Sequence, residues 1–132
     1  MRLILFGTEI PTLLRSALAE EGFRLEVAPA GGAPPAVGAV GALAAALREA
    51  ESALRGAPPS AVLVTGGGDR ALGVALAAVK LGVPTAWISP PDAEVEVHLT
   101  RRVADLTVDA TQSPHDSARE IAEMAASTLR SR

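Results

Sequence analysis

The sequence has no cysteine, and its only aromatic side chains are those of Phe6, Phe23 and Trp87. The absence of cysteine excludes disulfides, thiolate zinc sites and thiol nucleophiles. The shortage of aromatics leaves few surfaces on which the bases of a single-stranded nucleic acid could stack. The sequence also lacks a block of basic residues: its net charge is -3, and the closest approach to such a block is the pair Arg101-Arg102. We therefore expect no nucleic-acid partner.

Long apolar runs are missing as well. The runs last only a few residues, far short of the ~20 that cross a membrane, and the first residues lack the pattern of a signal peptide. No group of His, Asp and Glu has the spacing of metal ligands. The sequence thus predicts a cytoplasmic chain without membrane contact, metal or cofactor. Its 132 residues predict a single Rossmann-like domain over 1–132.

Short apolar runs alternate with segments of helical periodicity along the chain. The runs predict strands over 3–6, 23–28, 61–64, 84–89 and 106–110. The third and fourth runs are apolar throughout, whereas the second and fifth alternate with polar residues, as edge strands do. This alternation of strands and helices predicts an α/β protein. We expect a three-layer Rossmann-like or flavodoxin-like fold with a parallel five-stranded sheet in the order 2-1-3-4-5.

Two segments between the strands have clear local signals. Proline and glycine crowd residues 29–35, which predicts a surface loop. Ser113-Pro114-His115-Asp116 predicts the start of the last helix, with Ser113 as its N-cap.

Three consecutive glycines, Gly66-Gly67-Gly68, follow the third strand. In open parallel sheets, ligands bind beyond the carboxyl ends of the strands where the winding reverses, which here lies between the first and third strands. N–H groups at the start of the next helix can hold an anion. The glycines fit neither the dinucleotide fingerprint nor the P-loop. The alternative is a tight turn in which Asp69 is merely the N-cap.

Three loops are expected to converge at this crevice, the last of them being Ser89-Pro90-Pro91. Arg70 would supply the positive charge for an anion. The candidate ligand-binding residues are Gly7, Thr8, Glu9, Thr65, Gly66, Gly67, Gly68, Asp69, Arg70 and Ser89.

The segments that carry this pattern are similar to those of a known family. They are "LILFGTEIP" (3–11), "VTGGGDRALGVALAAVKLGVPTAWISPP" (64–91) and "RRVADLTVDATQSPHDSARE" (101–120). Their order and content resemble the N-terminal domain of the non-hydrolysing UDP-N-acetylglucosamine 2-epimerases. The resemblance implies one Rossmann-like half of a two-domain fold. The chain would then be a degenerate, single-domain relative.

The departures from this family bear on activity. The resemblance places Gly67 where the family has a catalytic aspartate and Ser89 where it has a glutamate. A further family glutamate corresponds to Glu94 or to Glu96. We therefore predict no catalytic residues and a module that weakly binds an anion or a nucleotide sugar, without epimerase activity.

Two other functions remain open at this stage. The scaffold could serve as a protein-interaction or regulatory module. A flavodoxin-like carrier is disfavoured, because the loops offer no aromatic side chains to enclose a flavin ring. Since the family domain packs against a second domain, self-association as a homodimer is also expected.

Overall fold

The computed structural model describes residues 1–28, 38–90 and 95–130. In this part of the chain, strands and helices alternate from the first residue to the last. The strands are β1 (Arg2–Phe6), β2 (Arg24–Val27), β3 (Ala61–Thr65), β4 (Thr85–Ser89) and β5 (Leu106–Asp109). The helices are α1 (Thr12–Glu20), α2 (Gly38–Leu54), α3 (Gly68–Lys80), α4 (Val95–Val103) and α5 (Pro114–Arg130).

The described strands form one parallel five-stranded sheet in the order β2-β1-β3-β4-β5. The predicted fold class and strand order are therefore confirmed. Every residue of β3 is buried, whereas β2 is only half-buried and has exposed ends. The difference follows from position, because an interior strand is covered on both faces and an edge strand is not. The loop predicted over 29–35 lies outside the described residues.

The two faces of the sheet carry separate apolar layers, because successive side chains of a strand point in opposite directions. Leu3 and Leu5 of β1 pack with residues of α1 and α5. Ile4 and Phe6 of the same strand pack with residues of α2 and α3. Trp87 is fully buried in this second layer, as expected for a residue of an interior strand.

Helices α2 and α3 come unusually close to each other at Gly73. A Cβ atom built on Gly73 would lie 2.7 Å from the Cβ of Ala46 and 2.8 Å from the carbonyl oxygen of Leu43. The contact thus depends on the missing side chain. It fixes α3, and therefore the loop that precedes it, against α2.

The helix starts partly match their predicted positions. The backbone N–H of Asp116 lies 3.5 Å from the hydroxyl of Ser113, which confirms Ser113 as the cap of α5. Helix α3 differs, because Gly67 is its N-cap and Asp69 is its second residue. The interpretation of Asp69 as the N-cap is therefore wrong. Within the described residues, no helix is long and apolar enough to cross a membrane.

Candidate functional site

A cavity of about 310 Å³ lies where β1 and β3 end, on the face of the sheet that α2 and α3 cover. This is the point where the winding of the sheet reverses, since β1 and β3 are adjacent but not consecutive. Open α/β sheets bind their ligands at this place. The described residues that line the cavity are Phe6, Gly7, Thr8, Val64, Thr65, Gly66, Gly67, Arg70, Ala71 and Val74.

The loop after β1 touches the end of β3 directly. Gly7 has a φ of +116°, and a Cβ atom there would lie 2.5 Å from the hydroxyl oxygen of Thr65. Only glycine allows both this conformation and this approach. The Thr65 hydroxyl donates a hydrogen bond of 2.8 Å to the carbonyl oxygen of Thr8. The Thr8 and Thr65 hydroxyl oxygens are 3.2 Å apart. One edge of the cavity is thus built from main chain and two hydroxyls.

The glycines after β3 shape the other edge. Gly66 and Gly68 have φ values of +86° and +79°, with no atom within 4 Å of a Cβ built on either. The indole Nε1 of Trp87 donates a hydrogen bond of 2.8 Å to the carbonyl oxygen of Gly66. Gly67 is exposed and offers no side-chain cap to α3. The first N–H groups of the helix consequently lack an intrahelical partner and a side-chain cap.

Arg70 supplies a cation beside these N–H groups. It lines the cavity, and its side chain is 39% exposed. Its Nη2 lies 3.7 Å from Oε2 of Glu49 on α2. Its Nε is buried without a hydrogen-bond partner among the described residues. A cation in the first turn of a helix is opposed by the helix dipole, so the guanidinium and the helix start both favour a nearby anion.

The structure brings six of the ten predicted residues to the cavity. They are Gly7, Thr8, Thr65, Gly66, Gly67 and Arg70. Gly68 and Asp69 belong to the first turn of α3 but do not line the cavity. Ligand binding by any of these residues remains a prediction.

The other two predicted residues lie elsewhere. The Glu9 side chain is 90% exposed, and its carboxylate is 4.0 Å from Arg15. The Ser89 hydroxyl donates a 3.2 Å hydrogen bond to the carbonyl of Pro90. Pro91 and Glu94 lie outside the described residues, as does the side chain of Glu96.

Sequence reasoning missed two kinds of residue at this site. One is the apolar wall of the cavity. It is formed by Phe6 of β1, Val64 of β3, and Ala71 and Val74 of α3. The spacing 70, 71 and 74 on one helical face could have indicated it. The other is Glu49, whose proximity to Arg70 depends on how α2 packs on α3. No pattern along the chain gives that packing.

The described residues of the cavity offer hydroxyl groups and the Arg70 guanidinium. Among the described lining residues, none has a carboxylate or an imidazole. No group of three or more His, Asp and Glu side chains in the described ranges could hold a metal ion. The arrangement is therefore suited to holding an anionic group.

The fold has counterparts among solved structures. UDP-GlcNAc 2-epimerase from Neisseria meningitidis, bound to UDP-GlcNAc, matches with a TM-score of 0.62 and 16% identity over 95% of this chain and 43% of its own. A putative UDP-N-acetylglucosamine 2-epimerase from Listeria monocytogenes matches with a TM-score of 0.67 and 13% identity over 90% and 41%. UDP-GlcNAc 2-epimerase from Methanocaldococcus jannaschii matches with a TM-score of 0.60 and 18% identity over 99% and 42%.

These similarities confirm the resemblance at the level of the fold. The chain spans well under half the length of each of these enzymes. No model of a protein family matches the sequence, and no curated protein does either.

Proposed function

We propose that this chain is a low-affinity binding module for phosphate-containing anions, nucleotide sugars among them, and that it has no epimerase activity of its own. The cavity between the ends of β1 and β3 supports the first part. Gly67, the N-cap of α3, and Arg70 in its first turn both line this cavity. The Neisseria enzyme of the same fold was solved with UDP-GlcNAc bound, which makes this ligand class the first to test.

The charges around the cavity favour weak binding. Arg70 is partly neutralised by Glu49 at 3.7 Å, and Asp69 adds a negative charge to the first turn of α3. Both carboxylates oppose an incoming phosphate. We expect a dissociation constant in the millimolar range, which corresponds to about 4 kcal/mol.

The composition of the cavity lining carries the second part of the proposal. Epimerisation by elimination and re-addition needs a base to remove a proton and an acid to return one. No described lining residue has a carboxylate or an imidazole. Gly67 and Ser89 occupy the positions where the resemblance would place two carboxylates. Without such groups, general acid–base catalysis loses its proton carriers.

Binding is tested by titrating the ¹⁵N-labelled chain with UDP, UDP-GlcNAc and inorganic phosphate. We expect the largest NMR shifts at the amides of residues 66–70. Arg70→Gln should weaken binding at least several-fold. Arg55→Gln is the matched control, because Arg55 is 70% exposed and forms its ion pair with Glu51, away from the cavity. An absence of shifts at residues 66–70 with all three ligands would contradict the proposal.

Activity is tested separately on the same preparation. UDP-GlcNAc incubated with the chain should show no conversion to its 2-epimer by ¹H NMR. A full-length epimerase of the same fold serves as the positive control. Turnover that disappears with Gly67→Ala or Ser89→Ala would overturn the proposed lack of epimerase activity. It would leave the proposed anion binding intact.

A further inference from the structure

Glu49 and Arg70 form an ion pair that links α2 to α3. The Arg70 Nη2 and the Glu49 Oε2 are 3.7 Å apart, and the two side chains are 39% and 31% exposed. This distance is too long for a hydrogen bond but short enough for a Coulombic attraction between the two charges. The positive charge of the cavity therefore already has a partner inside the protein.

The two members of the pair stand in different relations to the cavity. Arg70 is among the lining residues, whereas Glu49 is not. A guanidinium has five N–H donors in a planar fork and can hold a phosphate through two of them at once. Nη2 is the atom nearest to Glu49, and Nε has no partner in the described part of the chain. The guanidinium is thus shared between a carboxylate outside the cavity and any anion that enters it.

We propose that Glu49 is an internal competitor for Arg70, which lowers the affinity of the cavity for phosphate. This inference rests on the proposed function, since it concerns the same cavity. Glu49 acts through Arg70 and does not touch the ligand. In the free chain its carboxylate attracts the guanidinium. An entering phosphate must draw Arg70 away from Glu49 and also experiences the negative charge of Glu49.

Helix α2 also provides a matched control for this proposal. Glu51 lies two residues from Glu49 and pairs with Arg55 at 3.2 Å within the same helix. Glu51→Gln changes the net charge of the chain and of α2 by the same amount as Glu49→Gln. It leaves the ion pair of Arg70 unchanged, so it separates a local effect from a change in overall charge.

The test is a titration of the full chain with inorganic phosphate at constant ionic strength, followed by the amide shifts of residues 66–70. Glu49→Gln should bind phosphate about three-fold more tightly than the parent chain, in line with the usual strength of partly exposed ion pairs. Glu51→Gln should bind as the parent does. Glu49→Asp, which keeps the charge and withdraws it by one methylene, should give an intermediate affinity.

The outcomes distinguish this inference from the proposed function. If the parent binds phosphate and Glu49→Gln binds equally or more weakly, the inference is wrong and the proposed function stands. If no variant shows shifts at residues 66–70, both are wrong. A purely structural role for Glu49 would lower the melting temperature without changing the phosphate affinity, and that result would also overturn the inference. Glu49→Asp provides the same test if Glu49→Gln does not fold.

Discussion

The indole Nε1 of Trp87 donates a 2.8 Å hydrogen bond to the carbonyl oxygen of Gly66, in the loop that follows β3. The ring is fully buried in an interior strand, so its position is set by the core. The loop that borders the cavity is thus tied to a fully buried side chain of the core.

Removing this hydrogen bond should destabilise the chain. Trp87→Phe keeps an aromatic ring in the core but leaves the Gly66 carbonyl without its donor. We expect a loss of about 1–3 kcal/mol, combining the lost hydrogen bond and the smaller ring. Urea unfolding followed by far-UV circular dichroism measures it. Faster amide exchange at residues 66–68 should accompany the loss, and unchanged exchange there would show that Trp87 does not hold the loop.

Gly7 should tolerate no side chain. In Gly7→Ala, the new Cβ would meet the Thr65 hydroxyl at 2.5 Å on a backbone with φ of +116°. We expect a loss of about 3 kcal/mol or more, because the strained conformation and the clash add. Gly56 is the matched control, since it has a φ of +90° and no atom within 4 Å of its Cβ position. Gly56→Ala should cost about 1 kcal/mol, and equal losses in the two variants would contradict the role given to Gly7.

The close approach of α2 and α3 makes a substitution that normally favours a helix unfavourable here. Gly73→Ala gains up to about 1 kcal/mol in helix propensity. Its Cβ would, however, lie 2.8 Å from the Leu43 carbonyl oxygen and 2.7 Å from the Ala46 Cβ. Overpacking of this kind costs about 1–3 kcal/mol, so we expect a net loss in urea unfolding. Adding Ala46→Gly removes the contact between the two Cβ atoms and should recover part of the loss. The recovery should be incomplete, because the contact with the Leu43 carbonyl oxygen remains. A net gain in stability from Gly73→Ala would refute the packing argument.

An acid-sensitive ion pair joins β1 to the edge strand β2. Arg2 donates hydrogen bonds of 2.9 and 3.0 Å to the two carboxylate oxygens of Glu26. These bonds hold the pKa of Glu26 below its ordinary value of 4.5. Since the pKa is lower in the folded chain than in the unfolded one, the pair stabilises the fold above pH 4.5. This contribution is lost as the pH falls through the folded pKa.

Glu26→Gln should therefore be less stable than the parent chain at pH 7. At acid pH, where the parent has lost the contribution of the pair, the two chains should differ less in stability. Thermal melts between about pH 2 and pH 7, a range that spans this carboxylate titration, measure the effect. Glu123→Gln is the control, because it removes one negative charge from an exposed position of α5. If both variants have the same pH dependence, the effect comes from net charge and not from the pair.

The sheet was predictable because burial leaves a pattern along each strand. The fully apolar run 61–64 in β3 and the alternating pattern of β2 indicate an interior and an edge position without knowledge of any contact. The alternative N-cap at Asp69 is two residues too late, because an acidic side chain there resembles a cap, whereas the cap of α3 is Gly67.

The site was only partly predictable for a different reason. The crevice follows from strand order alone, and six of its residues follow from the two loops. The direction of each side chain follows neither from the strand order nor from the position of its loop in the sequence. Glu9 extends into solvent near Arg15, and Ser89 bonds to its neighbour Pro90. Glu49 reaches Arg70 only because α2 packs closely on α3, and the packing register of two helices is not visible in their separate sequences.

The position of Trp87 also has a practical consequence. It is the only tryptophan in the sequence, and its indole bonds to the loop that borders the cavity. Tryptophan emission depends on the hydrogen bonding and electric field around the indole. The unmodified chain therefore contains a fluorophore that is hydrogen-bonded to a residue of the proposed anion site. An anion that moves the Gly66 carbonyl can change that emission, so binding can be followed without a label.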